Sequence, residues 1–206
     1  ATLIESGLDY DESVDIARDV ERRTGARLIH STDDRLVIAG AATMTLAMLR
    51  QCETPLDALV LSIGGGSQAV GALTVSRHLQ PTLEIFGVQA AQAPTICDSW
   101  RARAVLPGRL AETFADGLAT RNVYEMTFGT LVEGLADFVT VSDAEIAAAI
   151  RALLRTTHNL AEGAGAAGLA GLIKLRERLA GRTVGIVLSG SNIDEATLRQ
   201  VVTGAY

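Results

Sequence analysis

A run of three glycines between an apolar strand and a helix constrains this chain more than any other feature. Residues 59–63 are apolar with strand character, residues 64–66 are all glycine, and a helical pattern follows Ser67 and Gln68. Glycine lets the backbone turn sharply, so several N–H groups can point at one ligand. The next helix adds unpaired N–H groups and the positive end of its dipole. The pattern predicts a phosphate site, with a strand–helix turn that simply requires small residues as the alternative.

Length and composition limit the class of protein. The chain has 206 residues, of which 48% are hydrophobic and 4% aromatic. This balance favours helices packed on a parallel sheet. The net charge is −6 and there is no basic block, so nucleic acid is not an expected partner. No apolar run reaches membrane-spanning length and no signal pattern opens the sequence, so we expect no membrane association and a cytoplasmic protein.

The cysteines and lysines of the chain limit the kinds of covalent catalysis and metal binding that it can perform. Cys52 and Cys97 have neither metal-ligand spacing nor a disulfide-framework count, so we expect reduced thiols. Lys174 is the single lysine among eighteen Lys and Arg residues, and its place at the polar end of a helix predicts a solvated charge. A guanidinium stays protonated and is a poor nucleophile, so the chain offers almost no amine for covalent catalysis.

Helix and strand patterns alternate along the chain. This alternation predicts an α/β fold with a doubly wound, mostly parallel sheet and helices on both faces. The predicted strands span residues 2–4, 26–30, 56–63, 83–88, 138–141 and 184–188. The predicted helices span residues 9–23, 35–50, 69–79, 96–104, 125–135, 142–157 and 164–179, with a last helix after residue 192.

Glycine-serine turns follow two of the predicted strands, at residues 64–68 and 189–192. Ligands of doubly wound sheets bind at the carboxyl ends of the strands. If these two strands are neighbours, both turns face one crevice. Their convergence would then be a stronger sign of a ligand site than either turn alone.

Two common nucleotide-binding loops fit less well. Residues 64–69 match the G-x-G-x-x-G/A pattern of dinucleotide-binding folds, which also require an acidic residue at the end of the next strand. That strand ends at Gln89, and no Asp or Glu follows before Asp98. A P-loop requires a lysine that this loop lacks. A dinucleotide site is therefore the weaker alternative to a phosphate site of another kind.

Four motifs stand in order along the chain: residues 61–68 (LSIGGGSQ), 115–119 (ADGLA), 161–167 (AEGAGAA) and 187–194 (VLSGSNID). Together they resemble the threonine/serine dehydratases, pyridoxal-phosphate enzymes of the tryptophan-synthase-β-like fold, a group that includes serine racemase. Residues 30–34 and 37–40 extend the match over nearly the whole chain. The resemblance implies fold type II, with a βαβ piece of the small domain in residues 1–34 and the large cofactor-binding domain in residues 35–206.

The resemblance also implies roles toward pyridoxal phosphate for individual residues. The loop at residues 64–68 would hold the phosphate through its N–H groups, and Ser189 would place its hydroxyl at the pyridine nitrogen. A hydroxyl does not keep that nitrogen protonated, which suits β-elimination. Glu162 would lie near the ring, with a carboxylate that interacts with the helix dipole as the alternative. The implied cofactor-binding residues are Gly64, Gly65, Gly66, Ser67, Gln68, Gly117, Glu162 and Ser189.

The sequence departs from the family pattern at several positions. Ser67 and Gln68 replace a glycine and an apolar residue of the family loop. Gln89 and Thr95 stand where metal-binding members have acidic ligands, so we expect no metal ion there. The Schiff-base lysine and the loop that binds the substrate carboxylate have no counterpart, so no catalytic residue is expected in these residues. The chain resembles the C-terminal two-thirds of such an enzyme and should not catalyse the full reaction by itself.

The sequence thus predicts part of a pyridoxal-phosphate-dependent dehydratase that converts L-threonine or L-serine to a 2-keto acid and ammonia. The alternatives are a related racemase, a hydroxyaspartate-type dehydratase, and a non-catalytic module that binds pyridoxal phosphate or an amino acid. We expect a small amino-acid substrate and a homodimer, which is common in the family. His30 is expected to have a capping or packing role, and His78 and His158 are expected to be solvated. Trp100 and Cys97 are expected to lie in the core or at an interface.

Overall fold

One parallel sheet organises residues 1–108 and 111–206, the part of the chain that the computed structural model describes. Its four strands lie in the order β3-β2-β1-β4. The strands are β1 (Ala58–Ser62), β2 (Glu84–Ala90), β3 (Asp137–Val141) and β4 (Val184–Ile186). The helices are α1 (Tyr10–Thr24), α2 (Arg35–Gln51), α3 (Ser67–Leu79), α4 (Thr95–Ala102), α5 (Glu125–Gly134), α6 (Asp143–Thr157), α7 (Gly163–Lys174) and α8 (Glu195–Thr203), with a short 3-10 helix at Asp116–Leu118.

Helices cover both faces of the sheet. Along β1, Ala58 and Val60 pack into the core beneath α6 and α7, whereas Leu59 and Leu61 pack into the core beneath α3 and α4. Successive side chains of a strand point to opposite faces, so a strand that is apolar throughout is buried on both sides. This arrangement confirms the predicted doubly wound α/β fold.

Local capping signals place the helix ends where the sequence predicts them. The Asp9 carboxylate accepts the Glu12 N–H at the start of α1, and Gly25 ends that helix in the left-handed conformation. Asp34 caps α2 in the same way. Ser142 and Glu145 form a capping box at the start of α6. Each of these contacts spans four residues or fewer, which is why the sequence reveals them.

Four predicted elements differ from the structure. Residues 2–4 and 26–30 are not strands, and Leu3 and Ile29 are 81% and 67% exposed. An apolar segment becomes a strand only where another strand accepts its backbone hydrogen bonds, and within the described residues neither segment has one. β4 spans three half-buried residues at the sheet edge instead of a buried five, and α7 ends at Lys174 rather than at residue 179. The domain boundary after residue 34 stays a prediction.

Candidate functional site

The two glycine-serine turns lie side by side. β1 and β4 are parallel neighbours, with Val60 opposite Ile186, so the loop at residues 64–68 and the turn at residues 189–192 leave the same edge of the sheet. Both border one cavity of about 230 Å³. Its lining includes Gly64, Gly65, Gly66, Ser67, Gln68, Gly117, Glu162 and Ser189, joined by Thr32, Ser62, Leu118 and Ala164. The structure therefore brings all eight residues that the sequence singled out to one place.

The glycine loop, residues 64–68, presents the beginning of α3 to this cavity. Gly66 precedes the helix with φ of 101°, a conformation that favours glycine. The first backbone bond of the helix runs from the Val70 N–H to the Gly66 carbonyl. The N–H groups of Ser67 and Gln68, which come earlier, have no acceptor within the helix. They supply donors and a positive dipole end at the cavity.

Close packing also requires glycine at the start of the loop. A Cβ on Gly64 would lie 2.1 Å from the Gly117 carbonyl oxygen, and a Cβ on Gly65 would lie 2.1 Å from Thr32 Oγ1. Packing against neighbouring segments therefore requires glycine at these two positions, as the alternative interpretation of the turn predicts. It acts together with the ligand-binding geometry, because the segments that approach the loop line the same cavity.

Two threonines hold the loop carbonyls. Thr120 Oγ1 donates to the Gly64 carbonyl at 3.2 Å, and Thr127 Oγ1 donates to the Gly65 carbonyl at 2.9 Å. These bonds fix two successive peptide planes of the loop. Fixed peptide dipoles bind an anion without the cost of ordering them at the moment of binding.

His30 fixes the backbone of the segment that packs against the glycine loop. Its Nδ1 accepts the N–H groups of Thr32 at 3.1 Å and Asp33 at 2.8 Å, and its ring packs edge-on against Tyr124. Tyr124 in turn donates its hydroxyl to the buried Asp11 at 3.1 Å. Burial lowers the pKa of His30, and an imidazole that accepts at Nδ1 must be neutral. His30 therefore caps this segment, as predicted, and in doing so holds Thr32 against Gly65.

The second turn contacts the start of α7. Ser189 is exposed at the edge of the cavity, and Glu162, which precedes α7, is half-buried beside it. Glu162 Oε2 accepts the Asn192 N–H at 3.0 Å. A second cavity of about 360 Å³ shares Gly117, Glu162 and Ala164 with the first. It is polar, and hydrogen bonds from the side chain and backbone of Thr197 lower the pKa of Asp194 at its rim.

The donor set suits a phosphate ester. Backbone N–H groups at a helix start and a serine hydroxyl are the groups that bind phosphate in proteins. Gln68 also lines the cavity, and its buried Nε2 has no acceptor among the described residues. The residues present therefore fit the phosphate of pyridoxal phosphate.

Other residues that the sequence singled out serve the fold. Gln89 lies inside β2, fully buried, and its Oε1 accepts the Cys97 N–H at 2.9 Å. Thr95 is buried at the first position of α4. Lys174 is not simply solvated, because its Nζ donates to the Thr140 carbonyl at 2.8 Å and lies near Glu145. Across residues 1–108 and 111–206, no group of three or more His, Cys, Asp or Glu side chains is arranged to hold a metal ion.

Sequence reasoning did not identify the residues that support the loop. Thr32 carries a weak signal, since it lies in the segment at residues 30–34 that extends the family resemblance. Asn192 lies in the predicted turn at residues 189–192, but its contact with Glu162 was not predicted, and Thr120 and Thr127 carry no signal that a single sequence reveals. Their roles come from contacts over 30 to 62 positions of chain.

Comparison with known proteins agrees with this geometry. The sequence profile of the pyridoxal-phosphate dependent enzyme family matches residues 1–190. L-threonine ammonia-lyase of Geobacter sulfurreducens is 37% identical over 203 residues, which cover 98% of this chain and 50% of that protein. L-threo-3-hydroxyaspartate ammonia-lyase of Saccharomyces cerevisiae is 32% identical over 189 residues, covering 92% and 58%.

A solved structure shows the same fold. Threonine deaminase isoform 2 of Solanum lycopersicum, in its processed form, superposes with a TM-score of 0.90 at 28% identity. The match covers 98% of this chain and 59% of that one, so the chain spans little more than half the length of such relatives. No helix within the described residues is long and apolar enough to cross a membrane. Threonine and hydroxyaspartate ammonia-lyases are among the relatives of this chain. The fold, the cavity and the profile match agree that the chain belongs to the pyridoxal-phosphate-dependent enzyme family.

Proposed function

We propose that these residues form the cofactor-phosphate-binding part of an ammonia-lyase that acts on L-threonine or L-serine. The observation that carries the proposal is the meeting of two glycine-serine turns at one cavity, at the carboxyl ends of β1 and β4. The net reaction would yield a 2-keto acid and ammonia. The similarity to threonine ammonia-lyases supports threonine as the first substrate to test.

Each of the eight cavity residues receives a role in this proposal. Backbone N–H groups of residues 64–68 bind the phosphate, with the positive end of α3 behind them. Gln68 lines the cavity beside these groups. Ser189 offers its hydroxyl to the pyridine nitrogen, and Gly117 borders the edge of the cofactor next to Gly64. Glu162 lies between the two cavities, where the ring would be.

Pyridoxal phosphate supplies an electron sink that weakens the bonds at the α-carbon of a bound amino acid. Ser189 is a neutral partner for the pyridine nitrogen, so it does not strengthen that sink as a carboxylate would. This is sufficient where the β-hydroxyl leaves promptly, and it disfavours reactions that need a long-lived α-carbanion. The serine therefore suits elimination, but it does not separate a dehydratase from the related racemase, which belongs to the same family.

The complete reaction needs an amine that these residues do not place at the cavity. The only lysine, Lys174, ends α7, whereas the cavity lies at Gly163 at the other end. The 11 residue-to-residue steps from Gly163 to Lys174 span roughly 16 Å of helix at about 1.5 Å per residue. A lysine from another segment must form the covalent link to the cofactor. Without one, the same cavity would serve the alternative function, a module that binds the cofactor or an amino acid.

The proposal includes a cytoplasmic homodimer that takes a small amino acid and does not bind nucleic acid. Cys52 and Cys97 are both free thiols, as expected in a reducing compartment. The net charge of −6 opposes binding to a polyanion. Light scattering on the purified protein tests the dimer: a mass of one chain at micromolar concentration would refute it.

Titration with pyridoxal phosphate and with pyridoxal tests the function directly. If the glycine loop binds the phosphate, pyridoxal phosphate should bind at least about tenfold more tightly, since each charge-assisted hydrogen bond is worth about 1.5–3 kcal/mol. Ser189→Ala should change the absorption spectrum of the bound cofactor, whereas Ser191→Ala in the same turn should not. Equal affinity for the two ligands would overturn the proposal. Borohydride reduction followed by intact mass measurement then shows whether a lysine has become linked.

A further inference from the structure

The turn that carries Ser189 has little support from its own strand. β4 is three residues long, and it lies at the edge of the described sheet. Leu188 is 37% exposed and Ser189 is exposed. A short edge strand followed by an exposed segment does not by itself hold a hydroxyl in one position. Something outside the strand must fix the turn.

Glu162 contacts the turn on both sides of Ser191. Its backbone N–H donates to the Gly190 carbonyl at 3.1 Å, and its Oε2 accepts the Asn192 N–H at 3.0 Å. Glu162 is the residue before α7, and its side chain makes no capping bond to that helix. The carboxylate is therefore committed to the turn and not to the helix.

The turn packs closely against the start of α7. A Cβ on Gly190 would lie 2.5 Å from Glu162 Oε1, and a Cβ on Gly165 would lie 2.5 Å from the Gly190 carbonyl oxygen. Glycine at both positions lets the turn lie directly on the first turn of α7. Most of α7 is buried between the sheet and α6, so the contact ties the turn to a rigid element.

We propose that Glu162 is a positioning residue that fixes Ser189 through the Gly190 and Asn192 contacts, and that it does not act as a charge on the cofactor. The inference rests on the proposed function for the role of Ser189, whereas the contact itself does not. The property that matters at residue 162 is then a side-chain acceptor oxygen that is long enough to reach the Asn192 N–H. A carboxamide supplies that oxygen without the charge, and a shorter carboxylate supplies the charge without the reach.

Two conservative substitutions separate these properties. Glu162→Gln should keep both the Asn192 hydrogen bond and the wild-type spectrum of bound pyridoxal phosphate. Glu162→Asp should lose the bond, speed hydrogen exchange of the Asn192 amide about tenfold, and shift the spectrum as Ser189→Ala does. Glu195→Gln, an exposed carboxylate on α8 that is paired with Arg199, is the matched control and should change neither measurement.

The opposite ranking would overturn the inference. If Glu162 acts by its charge, Glu162→Gln will alter the spectrum and Glu162→Asp will preserve it. Unchanged exchange of Asn192 in Glu162→Asp would likewise show that the side chain does not hold the turn. The exchange measurement needs no cofactor, so it decides the contact even if wild-type protein fails to bind pyridoxal phosphate. That failure would overturn the proposed function instead.

Discussion

Gly64→Ala is the sharpest perturbation of the glycine loop. The new Cβ would lie 2.1 Å from the Gly117 carbonyl oxygen, whereas ordinary contact begins at 3.4 Å. The two backbone segments must therefore separate by 3.4 − 2.1 = 1.3 Å. Neither segment can yield by rotating a side chain, because the contact is with backbone. The loop must lose its alignment with the rest of the cavity wall.

Gly64→Ala should lower both the free energy of unfolding and the affinity for pyridoxal phosphate. Forced overpacking of this kind costs about 1–3 kcal/mol, and a domain of this size loses about 2–4 °C of Tm for each kcal/mol. A displacement of 1.3 Å is also larger than a hydrogen bond tolerates. The loss of one charge-assisted bond to the phosphate, about 1.5–3 kcal/mol, would weaken pyridoxal phosphate binding by at least about tenfold.

The assay pairs thermal unfolding with a fluorescence titration of pyridoxal phosphate. Gly129→Ala is the matched control, since that exposed position in α5 has no atom within 4 Å of the added Cβ. Alanine there should raise stability by about 0.5–1 kcal/mol and leave binding unchanged. Wild-type affinity in Gly64→Ala would refute the reasoning, because it would mean that the loop does not need its observed backbone path to bind the cofactor.

Three further outcomes are expected. Thr127→Val keeps the side-chain shape but leaves the Gly65 carbonyl without its hydroxyl donor, so urea unfolding should show a loss of about 1–3 kcal/mol; an unchanged midpoint would contradict this. Burial lowers the pKa of His30 below its ordinary value of 6.5, so the unfolded chain takes up a proton first as the pH falls. The contribution of His30 to stability should therefore be constant above about pH 6.5 and fall below it, and His30→Asn should reduce this fall while His78→Asn, an exposed control, should not. Ser142→Ala removes the capping box of α6 and should cost about 1 kcal/mol in thermal unfolding without changing cofactor affinity; equal stability would count against the capping assignment.

Much of the site could be predicted because its signals are local. The caps at Asp9 and Asp34 and the capping box at Ser142 depend on interactions within four residues, and the glycine run at residues 64–66 is visible in the sequence itself. Apolar segments between these signals indicated an alternating α/β chain. The motif order then indicated the family, and the eight residues chosen on that basis line one cavity.

The sequence predictions were wrong where the outcome depends on a contact with a residue that is distant in sequence. Residues 2–4 and 26–30 contain the apolar pairs Leu3-Ile4 and Leu28-Ile29 but pair with no strand in the described chain. Gln89 reads as a residue that follows a strand, whereas β2 extends through it to Ala90. In each case the neighbour that decides the outcome is distant in sequence.

The sequence by itself determined that this chain turns on glycine before a helix, alternates strands with helices and carries the motifs of a pyridoxal-phosphate enzyme. Only the tertiary structure decided that Thr127 and Thr120 hold the loop carbonyls, and that Glu162 contacts the turn beyond Ser189. The physical reason is the range of the interactions. A cap or a positive φ is settled within one turn of chain, but a hydrogen bond across 30 or more residues exists only once the sheet has set its strand order.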